Sequence, residues 1–212
     1  MNVTIFGATH GTGRILAEKC LAAGHTVTAL VRDPAKFDLR DQCRVIQGDA
    51  REAVPCHEAV READAVLSTL GAKSPFEKSD LLARAVPAII AAMQQEGVRR
   101  LIVLGAGGWQ PRALDRQTGL RRWLFNAGAR TLLKYPIESQ RAQEAAVLFS
   151  PLDWTIVAPT HLTNSAPRGN YRVDAVALPP KAFHIARGDV ADAIYRALEE
   201  KKWIGEHAYV SW

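Results

Sequence analysis

Short apolar runs alternate with segments of helical periodicity along most of the chain. This alternation is typical of a parallel sheet, whose strands are almost continuously apolar because helices cover both faces. The runs predict seven strands, at residues 1–6, 25–31, 43–49, 64–71, 100–105, 153–159 and 207–212. The sequence therefore predicts an α/β fold with one doubly wound, mostly parallel sheet in a single domain over residues 1–212.

Apolar residues at turn spacing predict the helices between these strands. They lie near residues 12–23, 79–96, 137–149 and 189–199. Pro87 lies inside the second helix, where we expect a kink, and Gly97 is suited to ending it. Residues 167–180 have no clear period, so we expect loops and a short ribbon near the ligand. Substrate-side loops are expected around residues 107–118 and 160–182.

The stretch GATHGTGR, residues 7–14, joins the first strand to the first helix. The dinucleotide fingerprint GxGxxG fails here: with Gly11 and Gly13 as its first two glycines, the third position falls on Leu16. A looser spacing of Gly7, Gly11 and Gly13 does fit. It supplies a turn out of the strand, a close backbone approach to a pyrophosphate and tight packing of helix on sheet. We therefore predict a phosphate-binding turn in a Rossmann-type domain.

This glycine spacing resembles that of the short-chain dehydrogenase/reductase superfamily. Further motifs, in order and over nearly the whole chain, resemble its short, atypical members: TVTALVRDP, QGD, STLGA, LDWTIVAPTHLT and ARGDVADAIYRAL. The chain is most similar to the biliverdin/flavin reductase type, with NmrA-like NADP-binding proteins as relatives. These relatives carry GATGxTG, so their glycine stands at the position of His10, whereas here the glycine is displaced to Gly11.

Arg32 ends the second strand, about 20 residues after the glycine turn, where the choice between NAD and NADP is made. An arginine at this point pairs with the 2′-phosphate of NADP, whereas a carboxylate accepts from the ribose hydroxyl of NAD. We expect NADP as the preferred cofactor and NAD as the alternative, with Lys36 and Arg14 supporting Arg32. Asp33 leaves two interpretations open, because it either favours NAD or only caps the turn before Pro34.

Further cofactor contacts follow from the glycine turn and from the resemblance. The predicted cofactor-binding residues of the turn are Gly7, Thr9, His10, Gly11, Thr12, Gly13 and Arg14. The resemblance implies adenine at Asp49 and Ala50, pyrophosphate and ribose at Leu70, Gly71, Ala72 and Lys73, and nicotinamide at Gly105, Ala106, Ala158 and Pro159. Gly71 and Gly105 are alternatively plain turn residues.

The spacing after each tyrosine shows whether the chain carries the Tyr-xxx-Lys motif of the larger short-chain dehydrogenases. None of Tyr135, Tyr171, Tyr195 and Tyr209 is followed four residues later by a lysine. This sequence therefore lacks the general acid that the superfamily uses for alcohol–ketone chemistry. The resemblance implies instead an NAD(P)H-dependent reductase acting on a planar conjugated acceptor such as a flavin, bilin or quinone. The alternative is a non-catalytic NADP-binding redox sensor that acts through a protein partner.

Two side chains are candidates at the acceptor end. The resemblance places His161 near the nicotinamide, where it donates a hydrogen bond or shuttles a proton, or only shapes the pocket. Trp109 follows a Gly-Gly turn and stacks on a planar substrate, or simply packs a loop. The cysteines match no metal-ligand spacing and the histidines are scattered, so we expect no metal.

Charge and composition limit the kinds of binding partner and the cellular location that we expect. The net charge is +5, and residues 99–130 hold seven arginines against the single acid Asp115. This basic region is either a solvated face or attracts an anionic ligand, whether a cofactor phosphate, an acidic substrate or nucleic acid. We expect no nucleic-acid partner, since no nucleic-acid-binding motif is recognisable. No apolar run suggests a membrane span or signal peptide, and three unpaired cysteines suit a reducing compartment. We expect a cytoplasmic monomer or small homo-oligomer.

Overall fold

The computed structural model describes residues 1–71, 79–108, 112–119, 123 and 134–212. The strands are β1 (Asn2–Phe6), β2 (Thr26–Val31), β3 (Arg44–Gln47), β4 (Ala65–Ser68), β5 (Arg100–Leu104), β6 (Asp153–Pro159), β7 (His161–Thr163), β8 (Arg172–Asp174), β9 (His184–Ala186) and β10 (Glu206–Ser211). The α-helices are α1 (Gly11–Ala22), α2 (Ala53–Val60), α3 (Leu81–Glu96), α4 (Lys134–Leu148) and α5 (Arg187–Glu199). Single 3₁₀ turns occupy Pro34–Lys36 and Arg112–Leu114.

Eight strands form the central sheet, in the order β3-β2-β1-β4-β5-β6-β10-β8. Every neighbouring pair is parallel except β10 and β8, which are antiparallel. Val3 pairs with Val27 on one side and with Ala65 on the other, so the direction of winding reverses beside β1. The predicted doubly wound, mostly parallel sheet is confirmed. In such sheets ligands bind in the crevice where the winding reverses.

Two apolar layers cover the sheet. On one face α1 and α5 pack over Val3, Ile5 and Leu67, and on the other α2, α3 and α4 pack over Phe6 and Val66. Alternate residues of each strand point to opposite faces, so a strand covered on both sides must be apolar throughout. This is why β1 is mostly apolar, with Val3, Ile5 and Phe6 at most 1% exposed.

Several elements differ from the sequence prediction. Helix α2 was not predicted, although Cys56, Ala59 and Val60 have helical spacing and are buried. The segment 172–174 is not a ribbon of its own, since β8 joins the main sheet as an edge strand beside β10. A separate two-stranded parallel ribbon is formed instead by β7 and β9. Helix α3 continues through Pro87 and ends at Gly97 in the left-handed conformation.

The basic region of residues 99–130 is partly explained by internal contacts. Arg99 forms an ion pair with Asp153, and Arg116 forms one with Asp174. The Arg100 guanidinium donates to the carbonyls of Asp153 and Ala197, at 2.8 and 2.7 Å. These three arginines therefore serve the fold. Arg121, Arg122 and Arg130 lie outside the described residues.

The described ranges contain neither a candidate membrane-spanning helix nor a candidate metal-binding cluster. No helix there is both long enough and apolar enough to cross a membrane. No cluster of three or more histidine, cysteine or acidic side chains able to hold a metal ion occurs in the same ranges.

Candidate functional site

A cavity of about 710 Å³ opens at the carboxyl ends of β1 to β4. This is the edge of the sheet at which the winding reverses. Its lining residues are Phe6, Gly7, Thr9, His10, Leu30, Val31, Arg32, Asp33, Lys36, Gly48, Asp49, Ala50, Thr69, Leu70, Gly71 and Leu81. Nine residues of the predicted cofactor set are therefore brought together: Gly7, Thr9, His10, Arg32, Lys36, Asp49, Ala50, Leu70 and Gly71.

The glycine turn is sterically closed to larger residues. Gly7 has a φ of +89°, and a Cβ there would lie 2.9 Å from Thr69 Oγ1. A Cβ on Gly13 would lie 2.1 Å from the carbonyl oxygen of Gly7 and 2.3 Å from Thr69 Oγ1. The Thr69 hydroxyl can donate to the carbonyls of Phe6 and Gly7, each 3.2 Å away. The turn, the start of α1 and the end of β4 are thus packed into one unit.

The N-terminus of α1 is left without a side-chain cap. His10 occupies the cap position with extended backbone and makes no capping hydrogen bond, and the first turn of the helix holds no acidic residue. The His10 ring instead contacts Thr9 Oγ1 at 3.0 Å. Uncapped N–H groups and the positive end of the helix dipole form a ready anion site. The glycine turn and this uncapped helix N-terminus fit the pyrophosphate of a dinucleotide.

Arg32 and Asp33 stand side by side at the end of β2. Asp33 Oδ1 accepts from the backbone N–H of Ala35 at 3.2 Å, and its Oδ2 lies 2.8 Å from Lys36 Nζ. The hydrogen bond from Lys36 lowers the pKa of the Asp33 carboxyl. The structure thus shows the capping interpretation of Asp33. Arg32 is exposed and forms no ion pair within the described part of the chain.

Arg14 is less available than Arg32 as a phosphate ligand. Its guanidinium lies 3.1 Å from Glu18 and 3.5 Å from Asp38. Two carboxylates therefore already neutralise it, and its proposed support of Arg32 stays a prediction.

Asp49, after β3, is held by a residue that the sequence analysis did not identify. Arg51 Nε and Nη2 donate to the two Asp49 carboxylate oxygens at 3.0 and 2.7 Å, and the Arg51 backbone N–H donates at 2.9 Å. Chiefly through the Arg51 side-chain hydrogen bonds, the pKa of Asp49 falls to about 2. Asp49 is therefore charged and oriented at neutral pH. The spacing Asp-x-Arg was the available signal for this pair.

The predicted nicotinamide residues lie at the ends of β5 and β6 and do not line the cavity. The Gly105 N–H donates to the Val157 carbonyl at 2.8 Å, and a Cβ at Gly105 would lie 2.7 Å from Ile156 Cγ2. Gly105 therefore serves close packing between these strands. Ala106, Ala158 and Pro159 lie at the same edge of the sheet, and their contact with a cofactor stays a prediction.

Of the remaining candidates, only His161 belongs to the described residues. His161 is exposed on β7 and stands opposite His184 of β9, outside the cavity lining. Its catalytic role stays a prediction. Trp109, Ala72 and Lys73 lie outside the described residues.

The fold and this cavity together define a dinucleotide-binding domain. Residues 7–201 match the model of the NAD(P)H-binding family, and the chain belongs to that family.

Three solved structures show the same fold as this chain at low identity. A short-chain dehydrogenase/reductase from Veillonella parvula is 19% identical, with a TM-score of 0.80 over 99% of this chain and 93% of that one. ChuY, described as an anaerobillin reductase from Escherichia coli O157:H7, is 22% identical, with a TM-score of 0.80 over 100% and 97%. A putative NAD-dependent epimerase/dehydratase from Bacillus halodurans is 23% identical, with a TM-score of 0.80 over 100% and 94%.

Proposed function

We propose that this protein is an NADPH-dependent reductase that passes hydride to a planar conjugated acceptor of the flavin, bilin or quinone class. The observation that carries this proposal is the cavity at β1 to β4. There an uncapped helix N-terminus faces the glycine turn, and Arg32 stands exposed at the rim, where it interacts electrostatically with Asp49 but forms no ion pair in the described ranges. The ligand that matches this arrangement carries a pyrophosphate and a further phosphate on its adenosine ribose.

Different residues at the cavity bind different parts of the cofactor. The first-turn N–H groups of α1 hold the pyrophosphate, and Arg32 pairs with the 2′-phosphate. Leu30, Leu70 and Leu81 supply the apolar walls of the cavity, against which adenine packs. Asp33 is engaged by Lys36 and by its own turn, and this supports NADP over NAD. A relative of the same fold, a short-chain dehydrogenase/reductase from Veillonella parvula, is described in complex with NADP.

The proposed class of acceptor depends on which side chains are available to protonate the reduced product. A bound nicotinamide cofactor supplies hydride, and the chain contributes the orientation of a flat acceptor against it. The sequence has no Tyr-xxx-Lys pair to protonate a simple carbonyl. A flavin, bilin or quinone spreads the incoming charge over its conjugated system, so solvent or His161 suffices as the proton source. The description of ChuY as an anaerobillin reductase supports a bilin within this class.

A paired measurement on the purified protein tests the proposal. NADPH and NADH are titrated by calorimetry, and NADPH absorbance is then followed after FMN, biliverdin or a small quinone is added. We expect tighter binding of NADPH than of NADH, and NADPH consumption with at least one acceptor. Absence of binding to either nucleotide would overturn the proposal. A His161→Gln variant assayed across pH distinguishes His161 from solvent as the proton donor.

A non-catalytic sensor is the second candidate. The observation that favours it is the position of His161, which is exposed and outside the cavity lining. A sensor binds NADPH as tightly as the reductase does but consumes none of it with any acceptor on the panel. Binding without turnover therefore selects the sensor.

A further inference from the structure

Arg187, the first residue of α5, lies against the glycine turn although it stands near the other end of the chain. Gly11 opens α1 with a φ of +56°, and a Cβ on it would meet both Cδ and Nε of Arg187 at 3.4 Å. The guanidinium is therefore next to the first residue of α1. This is the helix end that no side chain caps.

The charge of Arg187 is not neutralised within the described part of the protein. Its Nη1 donates to the neutral amide oxygen Oδ1 of Asn164 at 2.6 Å, and no carboxylate there forms an ion pair with it. Arg14, on the same helix end, is in contrast paired with Glu18 and Asp38. An arginine guanidinium stays protonated at all ordinary pH values. Arg187 thus adds a full positive charge beside the helix dipole.

The loop that carries Asn164 is held by a buried acid. Asp189 is 1% exposed, and it accepts from the backbone N–H groups of Arg168 and Gly169 at 2.9 and 2.8 Å. It also accepts from Trp212 Nε1 at 2.6 Å. The loop from Asn164 to Gly169 is thereby fixed over the start of α5, so the amide of Asn164 can orient the guanidinium.

We propose that Arg187 is a phosphate ligand for the pyrophosphate of the cofactor, and that Asn164 is its positioning residue. This inference rests on the proposed function, because it assigns one more residue to the same cofactor. A guanidinium can bind two phosphate oxygens at once. The two arginines then act on different groups: Arg32 on the 2′-phosphate, and Arg187 on the pyrophosphate that NADH and NADPH share.

The test compares ligands that carry only one of these groups. ADP-ribose has the pyrophosphate without the 2′-phosphate, and adenosine 2′-phosphate has the reverse. We expect Arg187→Met to weaken ADP-ribose, NADH and NADPH by the same factor, roughly 10- to 100-fold, and to leave adenosine 2′-phosphate unchanged. Arg187→Lys restores part of the loss. Asn164→Ala gives a smaller loss on the same three ligands.

A charge-matched control keeps the result specific. Arg99→Met removes one exposed positive charge at the opposite edge of the sheet, where Arg99 pairs with Asp153. We expect it to leave the affinity for ADP-ribose unchanged, and an equal loss in this variant would overturn the proposal in favour of a general charge effect. If Arg187→Met unfolds, the comparison is made with Arg187→Lys, which must weaken ADP-ribose but not adenosine 2′-phosphate.

The two proposals fail in different ways. If the unaltered protein binds none of the dinucleotides, the proposed function fails. If it binds and consumes NADPH, and Arg187→Met retains full affinity for ADP-ribose, only the role of Arg187 fails.

Discussion

The two halves of the sheet's carboxyl edge are built differently. Over β1 to β4, backbone turns and unpaired donors surround an open cavity, with Arg32 at its rim. Over β5 and β6 the backbone is packed tightly. There Gly105 donates to Val157, Gly107 donates to Pro159, and Gln143 of α4 donates to the Leu104 carbonyl at 3.0 Å. One half exposes hydrogen-bonding groups to a ligand, whereas the other satisfies them internally.

This difference indicates how the two halves acquire specificity. The cofactor half depends on steric rules within a few residues of sequence, such as the close approach of Gly13 to Gly7. The half over β5 and β6 depends on segments that meet only in the folded chain. The Gln117 side chain, for example, donates to the carbonyls of Leu178 and Pro179 at 3.2 and 2.8 Å. The half over β1 to β4 is therefore easier to predict from sequence than the half over β5 and β6.

The largest expected effect comes from adding one methyl group to the glycine turn. A Cβ at Gly13 falls 2.1 Å from a backbone oxygen, so Gly13→Ala must open the turn. We expect a loss of about 3 kcal/mol in unfolding free energy and roughly 100-fold weaker NADPH binding. Urea unfolding and calorimetric titration measure the two effects.

The same substitution at Gly105 sharpens the comparison between the halves. Its Cβ would meet Ile156 Cγ2 at 2.7 Å, which is a side-chain atom at a longer distance than the backbone oxygen at Gly13, so we expect Gly105→Ala to cost about 1–2 kcal/mol and leave ADP affinity unchanged. Gly119→Ala is the control, because no atom of the described residues lies within 4 Å of its Cβ. Equal loss of ADP binding in Gly105→Ala and Gly13→Ala would show that the halves are not independent.

The next effect in size concerns the choice of nucleotide. Arg32→Met removes the positive charge proposed to bind the 2′-phosphate, so we expect NADPH affinity to fall roughly 10- to 100-fold while NADH affinity is unchanged. Arg84→Met is the matched control, since Arg84 is an exposed arginine of α3 that already pairs with Asp80. Calorimetric titration with both nucleotides measures the ratio. A parallel loss of NADH and NADPH binding would contradict the assigned role of Arg32.

The smallest effect concerns the charge on Asp49. Its pKa lies near 2 because Arg51 holds the ionised form, so Arg51→Met should raise that pKa toward the ordinary 3.8. A depressed carboxyl pKa stabilises the fold above pH 3.8, and this contribution disappears as the pH falls toward 2. The two proteins should thus differ in unfolding free energy by under about 1 kcal/mol at neutral pH, and by less in acid. Carboxyl NMR titration checks the pKa, and an unchanged value would assign the shift elsewhere.

The accuracy of the sequence prediction varied with the range of the interactions involved. The main-sheet strands β1 to β6 and β10 were located because covered parallel strands are apolar throughout. Helix α2 was missed although its apolar spacing is present, and the β7–β9 ribbon carried no recognisable period in its three-residue strands. The alternatives for Asp33 needed the positions of Ala35 and Lys36, since both interpretations predict the same residue types.

Sequence reasoning reached the doubly wound sheet, the glycine turn and the family of nucleotide-binding proteins without coordinates. Periodicity, glycine sterics and the missing Tyr-xxx-Lys pair are properties of short stretches, so a linear reading suffices for them. The contact of Arg187 with Gly11, the orientation of its guanidinium by Asn164 and the clamp of Arg51 on Asp49 required three dimensions. A side chain's charge is written in the sequence, but whether another residue neutralises it depends on which distant segments the fold brings together.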